Sequence, residues 1–499
     1  MPRAILILHR WLGVVIGALM TVWCLSGFVM MYVDYPRLMP AEQLRGLAPL
    51  QLPAAQTLAR IDLPADTPLS SVKLEGMAGK PVLRLTPAID PGRKIAQMLA
   101  TGEGFDLSTG EALAGLSAGD IRSVAVTFGQ RSGIRGAPAS VGVTGIDQWT
   151  VQTFRRNQPL YRVDYADPAA TTIYVSGKSG EVVQQTTRFE RFWGWLGAVP
   201  HWLYPTILRQ NGEAWSQVVI YTSLIGCFLT ATGLWVGIAR LRRRKDGRIG
   251  SPYKGLWWWH HVFGLFFGVL TLTWVASGLF SMNPWGFLDS MAGFAERQQL
   301  AGKMDWGQVR DAIGKLDKLP ADTVRIESAP LGGRIFVTAV TSSGAITRFD
   351  AAGQPAPLER AELAEALRSG PAVASLAKLD AEDAYYYTHK FPMKLPVWRA
   401  ILADPQATRL YIDPDSGSLI RAFDGNGRAF RWLQDGLHSL DFPVLRSRPL
   451  WDLILLPLLA AVTLVCGTGT WMGFRKLIRD VRMFRRRRAR RRSPAGGWQ

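Results

Sequence analysis

Four stretches of this chain, at 11–33, 217–239, 262–288 and 453–474, contain no charged residue at all. Each is long enough to cross a hydrocarbon core, which takes about 20 helical residues. In lipid every backbone polar group must be satisfied within the segment, so such runs fold as helices. The reading that follows is an α-helical membrane protein with four transmembrane helices.

The charge distribution supports it. The 499-residue chain carries 58 Lys and Arg against 39 Asp and Glu, a net +19, a balance that by itself suggests a nucleic-acid partner. The basic residues, however, flank the apolar runs. Arg3 and Arg10 precede the first, seven more lie between Arg240 and Lys254, and eleven follow the fourth from Arg475 to Arg492; with only Asp246 and Asp480 among them, these segments account for +18 of the +19. Lys and Arg are retained on the cytoplasmic side. The expected order is a cytoplasmic N-terminus (1–10), first span (11–33), exported segment (34–214), second span (215–239), basic cytoplasmic loop (240–259), third span (260–288), exported segment (289–450), fourth span (451–474) and basic tail (475–499). The first run is too long for a signal-peptide core and lacks a small-residue cleavage site, so it reads as an uncleaved anchor. The arginine-rich tail reads as a topology determinant that touches membrane lipid headgroups, and no nucleic-acid partner is expected. Residues 192–208 are apolar but contain Pro200 and Pro205, which argues for an interfacial segment. Cys24, Cys227 and Cys466 all fall inside spans, leaving no disulfide framework for the exported parts and no C-x-x-C-H haem attachment.

The second half of the chain repeats the first. His9, Gly13, Gly17, Trp23, Ser26 and Gly27 recur as His260, Gly264, Gly268, Trp274, Ser277 and Gly278, at a constant offset of 251. Tyr161-Arg162, Ala166-Asp167-Pro168, Thr171, Tyr174, Gly180, Arg191 and His201 recur 237 residues on as Trp398-Arg399, Ala403-Asp404-Pro405, Thr408, Tyr411, Gly417, Arg428 and His438. Trp215 and the Thr232-Gly233-x-Trp235-x-Gly237 run recur as Trp451 and Thr468-Gly469-x-Trp471-x-Gly473. Each half is helix, exported segment, histidine, helix, in one membrane orientation, a tandem parallel repeat with a pseudo-twofold axis along the membrane normal. The exported segments mix alternating runs (172–175, 334–340) with a helical pattern (358–367), and are expected to form two α+β domains.

Ionisable residues at membrane depth are functional candidates. Four of the six histidines are paired by the repeat: His9 with His260 on the cytoplasmic side, His201 with His438 on the exported side. Two histidines from separate helices can supply both axial ligands of one haem, so two pairs provide for two haems stacked across the bilayer. Gly13, Gly17, Gly264 and Gly268 share a helical face with their histidine and would clear it for a flat porphyrin; helix–helix packing explains the same spacing. Gly233, Gly237, Gly469 and Gly473 carry the same ambiguity. Trp23, Trp235, Trp274 and Trp471 either line a cavity or pack. His261 competes with His260, and the match to His9 favours His260. His389 has no histidine partner in the first half and reads as a surface residue. No G-x-G-x-x-G, P-loop, Ser-His-Asp or H-E-x-x-H signature is present, so electrons would have to come from another molecule.

The H-R-W-L-G opening, its H-H-V-F-G-L-F-F-G copy and the Tyr-x-x-x-x-x-Gly endings of the exported segments together resemble the PepSY-associated transmembrane family, which includes iron-regulated inner-membrane proteins and ferric-siderophore reductases of Gram-negative bacteria. That resemblance implies PepSY-like periplasmic domains, an inner-membrane location, two haem b per chain held by His9, His201, His260 and His438, and delivery of electrons to ferric siderophore in the periplasm. The electron donor would be quinol or a cytoplasmic flavoprotein. Siderophores bind ferric iron through hard oxygen ligands and hold ferrous iron far less tightly, so one electron releases the metal. Two other readings fit the same residues: haem electron transfer to another periplasmic acceptor, and a non-redox binding role.

Overall fold

The computed structural model describes residues 3–52, 55–88, 103–113, 115–243, 245, 247–388 and 393–492; His389 lies outside them. The chain forms two compact units, one of Met1–Tyr35, Trp193–Leu288 and Ala429–Gln499, the other of Pro36–Phe192 and Asp289–Arg428.

The first unit is built on four long helices: α1 (Arg3–Met30), α2 (Gly212–Ala239), α3 (Leu256–Ser281) and α4 (Leu450–Arg492). All four are long and apolar enough to cross a membrane, with mean hydropathy of 1.7 to 2.1 over their central windows. Their ends depart from the uncharged runs for local reasons. The first helix starts at Arg3 rather than at residue 11, because charge marks the edge of hydrocarbon and not of helix. The third stops at Ser281 rather than 288, since Asn283 adopts a left-handed conformation (φ 42°) and Pro284 follows it; proline has no N–H with which to continue the ladder. The fourth continues through the basic tail to Arg492, about 64 Å of helix at 1.5 Å per residue. Asn211 caps α2 by accepting from the Ala214 N–H. In the bundle α1 packs on α4 and α2, and α3 on α2 and α4. The stretch 192–208 holds no single long helix: the helix Arg188–Leu196 ends before Gly197, the short helix Ala198–His201 contains Pro200, and Pro205 precedes the short helix Thr206–Arg209.

The second unit holds fifteen strands among its described residues, all paired antiparallel: β1 (Leu69–Met77), β2 (Lys80–Pro87), β3 (Glu103–Asp106), β4 (Glu111–Ala112), β5 (Pro138–Thr144), β6 (Leu160–Tyr165), β7 (Thr172–Ser176), β8 (Val182–Thr186), β9 (Thr323–Ser328), β10 (Val337–Thr341), β11 (Ile346–Phe349), β12 (Val373–Leu379), β13 (Val397–Leu402), β14 (Arg409–Ile412) and β15 (Leu419–Phe423). Two four-stranded meanders, β5-β6-β7-β8 and β12-β13-β14-β15, come one from each half of the chain. Each buries one face under helix, the first beneath Ala118–Arg131 and the second beneath Arg360–Ala366.

The third sheet differs from the two separate exported domains expected above. It runs β11-β10-β9-β1-β2-β3-β4, with β1 of the first segment hydrogen-bonded to β9 of the second at Leu74↔Ile326. The segments therefore share one sheet, whose core gathers Leu74, Leu83, Ile326 and Val337 against Trp306, Val309 and Ile313 of the Asp305-capped helix Trp306–Gly314. At the junction Glu75, 1% exposed, sits between Arg84 Nη1 and Arg325 Nε, each 2.5 Å away. Burial alone would push the Glu75 carboxyl up; the two guanidiniums outweigh it and hold it below the ordinary range.

Candidate cofactor site

His9 lies on the second turn of α1 and rests on α2. Its Nδ1 is 3.1 Å from the Leu229 carbonyl oxygen, and a methyl group at Gly233 would stand 2.7 Å from its Cε1. The missing side chain at Gly233 is what lets the imidazole lie flat on the neighbouring helix. His260 on α3 sits on α4 in the same way, with Nδ1 3.1 Å from the Val465 carbonyl and 3.2 Å from Thr468 Oγ1, and 2.7 Å between its Cε1 and a methyl at Gly469.

The second set follows a different rule, again used twice. His201 closes the short helix Ala198–His201 and directs Nδ1 at α1, 3.1 Å from Ser26 Oγ and 3.1 Å from the Trp23 carbonyl. His438 directs Nδ1 at α3, 3.0 Å from Ser277 Oγ and 3.2 Å from the Trp274 carbonyl. Ser26 and Ser277 are buried. The rings of His201 and His438 lie edge to face, with centres 5.9 Å apart and an interplanar angle of 74°. Burial and the neighbouring His438 ring lower His201 to about 4, and burial lowers His438 as well, so both are neutral at pH 7.

In all four cases Nδ1 points at a carbonyl, which can only accept. The proton therefore sits on Nδ1, and Nε2, to which no hydrogen bond is made among the described residues, presents its lone pair. That is the tautomer and the outer-shell contact of a metal-ligating histidine. Two imidazoles that share one metal ion at a metal–nitrogen bond of about 2 Å have ring centres about 6 Å apart, the separation of His201 and His438. Among the described residues no group of three or more His, Cys, Asp or Glu could hold a bare ion. Pairs of histidines instead match a metal that brings its other ligands in a macrocycle, so the residues fit haem.

The remaining candidates separate. His261 uses the opposite nitrogen: its Nε2 donates to the Gly237 carbonyl at 2.8 Å, which ties α3 to α2, while its Nδ1 is buried without a partner. A methyl group at Gly13 or Gly264 would meet nothing within 4 Å, whereas one at Gly17 would stand 3.1 Å from Thr470 Oγ1 and one at Gly268 2.5 Å from a Leu234 methyl. Open space thus flanks the first glycine of each run, and helix contact explains the second. Trp23 and Trp274 pack into the bundle core, with indole N–H groups that are buried and unpaired. Trp235 and Trp471 are exposed on the bundle surface. The sequence reading had no role for Ser26 and Ser277, although both recur at the 251 offset, and left Gly233 and Gly469 undecided.

A family model for the PepSY-associated TM region matches residues 6–345, more than half of the chain. The chain belongs to that family. The PepSY-associated TM match includes His9, His201 and His260, and His438 lies beyond it. No curated protein matches the chain. Membership, with the four apolar helices, makes this a membrane protein.

Proposed function

We propose that this PepSY-associated protein is a bacterial inner-membrane oxidoreductase. In this reading it holds two haem b, one between His9 and His260 and one between His201 and His438, and reduces ferric siderophore in the periplasm to release iron. The observation that carries the reading is the doubled geometry: four half-buried histidines, each anchored through Nδ1 and each with no hydrogen bond at Nε2 among the described residues, in two matched pairs. The matched contacts at offsets of 251 and 236 to 237 support a tandem parallel repeat. The basic segments support cytoplasmic termini with the sheet-bearing unit on the periplasmic side, and a quinol or flavoprotein donor on the cytoplasmic side.

Bound haem supplies a reversible one-electron couple at each pair. The protein's part is to orient and insulate. Leu229 and Val465 fix the first two imidazoles, and Ser26, Ser277 and the Trp23 and Trp274 carbonyls fix the other two. Neutral histidines keep their lone pairs available without a proton being displaced. The apolar cluster of Ile16, Met20, Leu229 and Val462 excludes water from the bundle interior.

The test is the optical spectrum and pyridine-haemochrome content of the detergent-purified protein, before and after dithionite. About two b-type haems per chain are expected, falling to about one in His9→Ala, His201→Ala, His260→Ala or His438→Ala and unchanged in His261→Ala. Ferric siderophore should reoxidise the reduced protein. A folded, colourless protein expressed with ample haem would overturn the reading. Haem without ferric-siderophore oxidation would redirect it to another acceptor.

A further inference from the structure

On the side away from the helices the two four-stranded sheets have corresponding faces of opposite character, largely buried on the first sheet and with Arg421 exposed and Arg409 and Phe423 half-buried on the second. On the first, strand register aligns Arg162↔Tyr174↔Gln184 and Asp164↔Thr172↔Thr186. That face satisfies itself: Arg162 pairs with Asp164, Thr172 Oγ1 donates to Asp164, and Gln184 Nε2 donates to the Pro36 and Trp149 carbonyls. On the second, the residues 237 positions on align as Arg399↔Tyr411↔Arg421 and Ile401↔Arg409↔Phe423. A carboxylate has gone, and two guanidiniums and a phenyl ring have arrived. The buried tyrosine and its aspartate are kept in both sheets, Tyr174 with Asp147 and Tyr411 with Asp383. The framework is common and the chemistry of the face is not.

The acidic groups around the second face are mostly committed. Asp383 takes Arg399, while Asp413 and Asp415 take Lys394. Glu382 acts on the nearby Tyr386. Among the described residues no carboxylate bonds Arg409 or Arg421. Arg409 lies over the Tyr385 ring at 4.6 Å and Arg421 over Tyr386 at 5.8 Å, while Phe423 stands 5.7 Å from Tyr385. The Nε–H of Arg409 is buried without a partner. Guanidinium groups spread on aromatic rings suit a ligand that is both anionic and aromatic, because the cations meet its oxygens while its rings stack beside them.

We propose that this face, centred on Arg409, Arg421 and Phe423, binds the substrate, and that the substrate is an anionic aromatic chelate of ferric iron of the tris-catecholate type. The ligand class rests on the reductase reading given above; the site rests on the sheet.

The full-length protein in detergent is titrated with the gallium(III) complex of a tris-catecholate chelator, which has the charge and shape of the iron complex but accepts no electron. The double variant Arg409→Thr/Arg421→Gln installs the residues that the first sheet carries at Thr172 and Gln184, so the sheet has a precedent for folding with them. Wild type should bind the gallium complex, with affinity falling as salt rises. The double variant should bind at least tenfold more weakly with its haem content and melting temperature unchanged, and a neutral gallium(III) trihydroxamate should bind wild type at least tenfold more weakly. Equal affinity in wild type and the double variant, or no gallium binding to a haem-loaded protein that ferric chelates still oxidise, would overturn the site and leave the reductase reading standing. Arginine-dependent gallium binding by a protein without haem would uphold the site while the reductase reading fails.

Discussion

Around the histidines the two halves of the chain make the same contacts at nearly the same distances: His9 and His260 each sit 3.1 Å from a backbone carbonyl over a glycine, and His201 and His438 each reach a buried serine. In the sheet-bearing unit the halves diverge. They share one sheet through β1 and β9, they meet at the Glu75 cluster, which belongs to neither half alone, and the corresponding faces of their meanders carry different side chains. Matching is confined to where two side chains must do the same task in pairs. Where each half meets its own surroundings, the strand framework, its tyrosine–aspartate contact and its turns remain alike, the last as in the Asp167 and Asp404 side chains that accept from Thr171 N–H and Thr408 N–H around left-handed Ala170 and Ala407.

The largest expected effect tests the unmatched side. Glu75→Ala removes the buried carboxylate that Arg84 and Arg325 share at the seam of the sheet and leaves them only the more exposed Glu181 and Glu327. Removing one partner of a buried ion pair costs about 3–5 kcal/mol. Chemical denaturation of the purified protein should show the sheet-bearing unit destabilised by that amount while the histidine bundle keeps its spectrum. A loss under 1 kcal/mol would mean that the seam is held by the apolar core alone.

The matched side is sharpened by glycine substitutions. Leucine at Gly233 or Gly469 drives atoms into the His9 or His260 ring, at an overpacking cost of about 1–3 kcal/mol, and the two variants should lose the same haem. Leucine at Gly13 or Gly264 enters space that is open in the protein alone. It should leave folding untouched yet lower haem content. If Gly13→Leu retains full haem, that open face does not receive the cofactor.

A smaller matched effect is expected of Ser26→Ala and Ser277→Ala. Each removes one of two acceptors near a histidine Nδ1, a change of about 1 kcal/mol or less, or about 40 mV or less for a one-electron couple. Redox titration should show both variants moving the same haem potential in the same direction. Shifts in different haems would break the pairing of His201 with His438.

Much of the bundle was legible in the sequence because its constraints are local or repeat at a fixed offset. Uncharged length marks a span, and two copies of His-xxx-Gly are visible without a structure. The uses of Gly233 and Gly469 were not, since helix packing and ring seating demand the same absence of a side chain. The shared sheet was not legible either: pairing Leu74 with Ile326 joins residues 252 apart, and neither strand records its partner in its own pattern of burial. The choice of His260 over His261 rested on the offset alone, and the structure adds that His261 spends Nε2 on the Gly237 carbonyl.

The smallest effect concerns the retained tyrosine–aspartate contact of the second meander. Burial would raise the Asp383 carboxyl, but the N–H groups of Tyr385 and Tyr386, the Tyr411 hydroxyl and Arg399 all donate to it and hold it below its ordinary value. A carboxylate lowered in the folded state binds its proton less readily there than in the unfolded chain. Its contribution is therefore complete above the unfolded value of about 4 and is lost as pH falls through the lower folded value. Near-UV circular dichroism should report release of the stacked Tyr386–Tyr411 pair, whose ring centres lie 5.1 Å apart, on acidification below about pH 4. Asp383→Asn should flatten that dependence while leaving the acid response of the Glu75 seam in place. If the wild-type tyrosine signal holds steady through that range, the loop is anchored by ring stacking and the aspartate has been kept for another reason.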